Sequence, residues 1–158
     1  MTRISIRPYS PDSFSQLCQT GVHPVLARIF AARGIAHVDE LSTDLSGMIP
    51  PVRLAHIGDA AAFLADAIAA GRKITVIADY DCDGATACAV ALRGLRLLGG
   101  HVDYMVPNRF DNGYGLTPEI VRQAKERHGT DIILTVDNGI ASLKGIEEAL
   151  ELGMQVLV

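Results

Sequence analysis

Apolar and polar positions along the 158 residues fall into two regimes. Before about residue 58 the apolar residues recur at helical spacing in short stretches. Val25 to Arg33 predicts a helix that Gly34 ends, and Val38 to Leu45 predicts another. Pro50-Pro51 then breaks the chain, and an Ala-rich helix is expected from Ala60 to Ala70, with Asp59 as its cap and Gly71 at its end. From Arg72 onward short apolar runs alternate with helical stretches. Strands are predicted over 73–79, 102–107, 131–137 and 154–158, and helices over 85–98, 117–128 and 141–152. Thr117-Pro118-Glu119 is a good helix start, with Thr as cap and Pro at the first helical position. The strands lack a clean polar face. Together with the alternation this predicts an α/β fold: a mainly parallel, Rossmann-like sheet with helices on both faces. The expected organisation is a helical lead-in over 1–58 and an α/β domain over 59–158. Because Met154 to Val158 is an apolar strand without turn or cap, that domain is expected to be truncated.

Composition narrows the setting. A 49% hydrophobic and 5% aromatic content fits a compact α/β protein with a sizeable core. Cys18, Cys82 and Cys88 form no Cys-x-x-Cys pair and leave an odd count, which favours a reducing compartment. The amino terminus lacks a signal-peptide core, and no apolar run reaches the roughly 18 residues of a membrane span. A cytoplasmic protein with no membrane association is expected. The net charge of −4 argues against a broad basic nucleic-acid surface within these residues. It leaves a nuclease open, since metal-dependent phosphoryl-transfer sites are acidic.

The chemistry concentrates where the run Ile74-Thr75-Val76-Ile77-Ala78 gives out into Asp79-Tyr80-Asp81-Cys82-Asp83-Gly84. Alternate side chains of an extended backbone share a face, so three carboxylates converge at this strand exit. Two carboxylates about 4 Å apart repel by roughly 4 kcal/mol at an effective dielectric near 20. No Lys or Arg lies between Lys73 and Arg93 in the sequence. A hard divalent cation is the natural compensation. A second acidic exit follows Ile132-Ile133-Leu134-Thr135-Val136 at Asp137-Asn138-Gly139. Ligand sites in open α/β sheets gather at the carboxyl ends of strands, so the two exits meet in one pocket if the strands are neighbours.

Three other readings apply to the first motif. A calcium loop starting at Asp79 would need an acidic twelfth residue, and Val90 stands there. A haloacid-dehalogenase phosphatase would use Asp81 as nucleophile, but that pattern has Thr directly after Gly, where this chain has Ala85. The plain alternative is a solvated turn with Asp83-Gly84 starting a helix. Cys82 reads as a packed small residue facing away from the carboxylates.

Three segments, Ile77 to Thr86, Val106 to Leu116 and Leu134 to Ile140, resemble in order the motifs of the RecJ-like exonucleases, a branch of the DHH phosphoesterase superfamily. Other branches carry an upstream His in the first motif; this chain has Ile77 there, a form that RecJ-like members share. The resemblance implies a DHH-type fold and two-metal phosphodiester hydrolysis with Mn²⁺ or Mg²⁺. The implied activity is 5′ to 3′ degradation of single-stranded DNA in repair and recombination. Catalytic residues implied by it are Asp79, Asp81, Asp83 and Asp137, of which Asp81, Asp83 and Asp137 match metal ligands. Asn108 and Arg109 match the segment facing the substrate, where a guanidinium would pair with a phosphate; Tyr114 would stack on a base. The family's Asp-His-His motif is expected beyond Val158, so these 158 residues alone are expected to be inactive or a binding fragment.

Overall fold

The computed structural model describes residues 5–108 and 113–158. The chain divides into two compact units, 1–53 and 54–158. In the first, α1 (Pro11–Gln19) and α2 (Pro24–Ala31) bury Leu17, Ala27 and Ala31 between them, flanked by Phe14, Phe30 and Ile35. The apolar spacing alone missed α1. Its start is nevertheless encoded: Ser10 accepts from the Ser13 N–H at 3.3 Å, Pro11 opens the helix and Asp12 follows in its first turn. The helix expected over 38–45 is a single 3₁₀ turn, Val38–Leu41, with another at Leu45–Gly47. There Glu40 accepts from the main-chain N–H groups of Ala36 and His37, which hold its carboxyl below the usual range.

The second unit begins with α3 (Ile57–Ala69), three residues ahead of the expected start. Asp59 is therefore not its cap. His56 occupies that position with a left-handed φ of 60°, and Asp59 lies in the first turn, where its charge still suits the helix dipole. Then come β1 (Lys73–Ala78), α4 (Cys82–Leu97), β2 (His101–Met105), α5 (Pro118–His128), β3 (Ile132–Val136), α6 (Leu143–Glu151) and β4 (Gln155–Leu157). The strands sit within the expected ranges, except that β2 begins at His101. Helix α4 starts at Cys82 rather than 85, because Asp81 and not Asp83 is its cap. Thr117 caps α5 as expected, and Gly129 closes it at φ 61°.

The four strands form one sheet in the order β2-β1-β3-β4, and every pairing is parallel. Side-chain alternation then divides the core. Ile74, Val76 and Ala78 pack with Ala67 of α3 and Cys88 and Leu95 of α4, whereas Ile77 packs with Ile120 and Val121 of α5 and Ala149 of α6. Strand β1 is buried on both faces, which explains its unbroken apolar run. Burying a side chain the size of Ile77 contributes about 1.5–3 kcal/mol. Thr75 and Thr130 are buried polar side chains that satisfy each other: their hydroxyls are 2.6 Å apart, and Thr130 donates onward to the Ala124 carbonyl at 2.8 Å.

Two helical glycines separate packing from propensity. A Cβ on Gly145 of α6 would strike the Leu116 main chain, with its carbonyl carbon at 2.8 Å, whereas one on Gly94 of α4 would meet nothing within 4 Å. Alanine is favoured over glycine in a helix by about 0.5–1 kcal/mol. Gly94→Ala is therefore expected to raise the urea-unfolding free energy by about that amount, and Gly145→Ala to lower it by more than the propensity gain. Denaturation curves of both variants check the pair.

Candidate metal centre

Strand order turns the two acidic exits into one site. From β1 the chain runs to β2 on one side, then crosses to β3 on the other, so the order reverses between the carboxyl ends of β1 and β3. Such a switch point leaves a crevice where open α/β sheets bind ligands. Ala78 pairs with Val136 in the register, and the next residues beyond these are Asp79 and Asp137.

Asp79, Asp81 and Asp137 each place a carboxylate oxygen within 4.8 Å of the others. Asp79 is buried at 8% exposure, while Asp81 and Asp137 are exposed. Main-chain groups hold two of them. Asp79 Oδ1 accepts from the Tyr80 N–H at 2.8 Å, and Asp81 Oδ1 accepts from the Gly84 N–H at 3.4 Å as the cap of α4. Gly84 lets this turn close: a Cβ there would lie 2.7 Å from the Asp79 carbonyl carbon. Asp137 adopts a left-handed φ of 60°, a conformation that Asp tolerates better than most residues.

Electrostatically the cluster is strained. Desolvation, then the charges of Asp83, Asp81 and Asp79, then a hydrogen bond to Asp81 raise the Asp137 carboxyl above its ordinary value of 3.8. Three carboxylate oxygens are hard ligands of the kind that Mg²⁺ and Mn²⁺ prefer. Oxygens around one such ion lie about 2 Å from it and so within about 4 Å of one another, which small side-chain rotations from the observed spacing would reach. The donor set fits a divalent cation, and its positive charge would offset the repulsion that falls on Asp137.

The expected ligand set was Asp81, Asp83 and Asp137. Asp79 takes the third place in the convergent group, while Asp83 lies in the first turn of α4, outside that group but near enough to act on Asp137 through its charge. Cys82 is exposed at the first position of α4, not packed as expected, because the cap at Asp81 turns it outward. Asn108 is exposed beyond β2. Arg109 lies outside the described residues. Tyr114 is exposed, and its hydroxyl donates to the Asp137 main-chain carbonyl at 3.3 Å. The hydrophobic pattern gives no sign of Asn138, whose side-chain amide donates to the main-chain carbonyls of Ile77 at 3.0 Å and Val136 at 2.9 Å. In sequence it stands within the Leu134 to Ile140 segment, but Asp-Asn-Gly after a strand reads by residue type as ordinary turn chemistry.

A carboxyl that binds its proton more tightly when folded supports the fold fully below its ordinary pKa, and that contribution is lost as pH rises through the raised value. Without metal, the contribution of Asp137 to stability should therefore fall with rising pH above about 3.8. Asp137→Asn removes the charge while keeping a residue type suited to left-handed backbone. It is expected to raise Tm near neutral pH in EDTA and to flatten the decline. Thermal unfolding across acidic to neutral pH checks this; an unchanged slope would contradict it.

Comparison with known proteins bears on the same residues. Residues 73–158 match the model of the DHH family, N-terminal domain. The single-stranded-DNA-specific exonuclease RecJ of Salmonella typhimurium is 46% identical over 136 residues, covering 85% of this chain and 23% of the relative. The chain thus spans about a quarter of the length of the curated relatives it matches. Among solved structures, an exonuclease RecJ bound to manganese aligns with a TM-score of 0.62 at 38% identity, over 69% of this chain and 28% of that one. RecJ in complex with Mn²⁺ from Thermus thermophilus aligns with a TM-score of 0.58 at 30% identity, over 92% of this chain and 20% of that one. The phosphatase alternative built on Asp81 is not favoured, since the family match spans both acidic exits. The parallel sheet, the paired acidic exits and these matches agree: this chain belongs to the DHH family, the model of whose N-terminal domain it matches over residues 73–158.

Proposed function

We propose that residues 73–158 supply the acidic part of the catalytic centre of an exonuclease that degrades single-stranded DNA from its 5′ end, with Mn²⁺ or Mg²⁺ as cofactor. The observation that carries this reading is the convergence of Asp79, Asp81 and Asp137 at a topological switch point, in a chain so similar to RecJ. Its setting is DNA repair and recombination in the cytoplasm. Asp79, Asp81 and Asp137 hold the metal, and Asp83 adds negative charge beside them, as a second ligand position when two ions are present. When bound, the metal supplies an activated water and offsets charge on the phosphate. Burial and the Tyr80 N–H fix the Asp79 carboxylate, while helix capping fixes that of Asp81, so neither has to be ordered at the moment of reaction.

Substrate would approach along the carboxyl edge of the sheet. Asn108 leaves that edge after β2, which runs parallel to β1. Arg109 is assigned to a DNA phosphate on its sequence position alone. Tyr114, exposed and tied to the Asp137 main-chain carbonyl, offers an aromatic ring on this side of the site for stacking on a base, which is independent of sequence.

The test uses the protein expressed from its whole reading frame with Mn²⁺ and oligonucleotides labelled at either end. Stepwise loss from the 5′ end of single strands is expected, and Asp81→Ala and Asp137→Ala are each expected to lower the rate by at least about a hundredfold. Degradation from the 3′ end, or an Asp137→Ala rate within twofold of the parent, would overturn the reading.

A further inference from the structure

We infer that Asn138 is a positioning residue for the metal centre: its side-chain amide ties the exits of β1 and β3 together and so fixes the separation of Asp79 and Asp137. This rests on the metal-centre reading above and extends it to a residue that carries no ligand atom.

Geometry supports the assignment from two directions. The Asn138 Nδ2 group donates to the Ile77 carbonyl on one strand and to the Val136 carbonyl on the other. Ile77 is two residues before Asp79, and Val136 is directly before Asp137. One amide group thus bridges the stretches of main chain from which both carboxylates hang. It does so at the last rungs of the β1–β3 register, which ends at Ala78 and Val136. Just beyond that rung Asp137 turns into left-handed backbone, and the Asn138 amide anchors the main chain immediately before it.

The second observation concerns the other end of the same side chain. Asn138 Oδ1 is buried and has no hydrogen-bond partner among the described residues. A buried amide oxygen left in this way costs free energy. The side chain lines a small cavity together with Ala78, Asp79, Pro107, Gly113 and Gly115. At about 10 Å³ this cavity is at the lower limit of the space a single water fills, so the orphaned oxygen faces a polar pocket that Asp79 also lines. A residue serving only as a turn former would gain nothing from burying an amide here. Asp or Ser at this position would form the turn as readily.

Positioning has a signature distinct from general stability. If Asn138 acts on the metal by holding Asp137 and Asp79 apart at the right distance, its removal matters only while both carboxylates are present, and the two defects do not add. Titration of Mn²⁺ followed by electron paramagnetic resonance gives affinity directly, without any nuclease assay. Asn138→Ala is expected to weaken Mn²⁺ binding about ten- to a hundredfold, the range for residues that orient metal ligands. In an Asp137→Asn background the same change is expected to alter affinity less than twofold. Asn138→Ser, which keeps one donor, should fall between wild type and Ala, and it also serves should the Ala variant fail to fold, with Tm in EDTA showing which variants are folded. Mn²⁺ affinity within twofold of wild type in the folded variants would overturn the inference, as would fully additive losses in the double variant. Failure of the wild-type protein to bind Mn²⁺ saturably would instead defeat the metal-centre reading itself.

Discussion

The parallel pairing of β1 with β3 is the interaction on which the site depends. An entire helix, strand and helix separate the two in sequence, yet their register sets Ala78 beside Val136 and brings two acidic exits to one point. A shift by one residue would turn Asp137 to the opposite face of the sheet from its present one. The register is held by what lies beneath: Ile74, Val76 and Ile132 in one core layer, Ile77 and Ile133 in the other, all essentially without exposed surface. Slippage would carry these side chains out of their layers, at a cost of about 1.5–3 kcal/mol for each one exposed. Burial therefore aligns the carboxylates, although none of the buried apolar residues offers a metal ligand.

The fold brings the carboxylates together against their mutual repulsion. Two devices make this tolerable. Main-chain N–H groups of Tyr80 and Gly84 hydrogen-bond Asp79 and Asp81 and fix the directions of their carboxylates. The absent side chain at Gly84 allows the first turn of α4 to settle against the Asp79 main chain. What remains uncompensated is collected at Asp137, where charges from three neighbouring Asp residues act together. A site of this kind is poised for a cation: the free energy stored as repulsion is recovered when positive charge enters.

Much of this was legible in the sequence, for identifiable reasons. Strands buried on both faces write unbroken apolar runs, so β1 and β3 could be placed closely and the parallel sheet inferred. Helix α5 announced itself through Thr117-Pro118 and Gly129, because caps are local chemistry. The start of α4 was misplaced because Asp81 and Asp83 are both acceptable caps by residue type, and only the close approach of Gly84 to Asp79 selects the first. The same ambiguity concealed which carboxylates converge. Strand alternation treats Asp79, Asp81 and Asp83 as equivalent, but the chain turns into a helix after Asp81, which carries Asp83 to one side and leaves Asp79 buried at the centre. Helix α1 was missed because its signal lies in Ser10-Pro11-Asp12 rather than in apolar spacing. Asn138 lay beyond reach for a different reason. Its importance comes from a hydrogen bond across 61 residues of sequence, which no local pattern records.

The place of β1 inside the sheet also has a kinetic meaning. It has β2 on one side and β3 on the other, whereas β2 and β4 each have a single described neighbour. Edges fray often and at little cost; an interior strand opens only when the sheet as a whole comes apart. Asp79 directly follows that interior strand and Asp81 lies two residues further on as the cap of α4, so breathing of the edges does not by itself move the point from which they project. The relative placement of these carboxylates is then as persistent as the interior of the sheet itself.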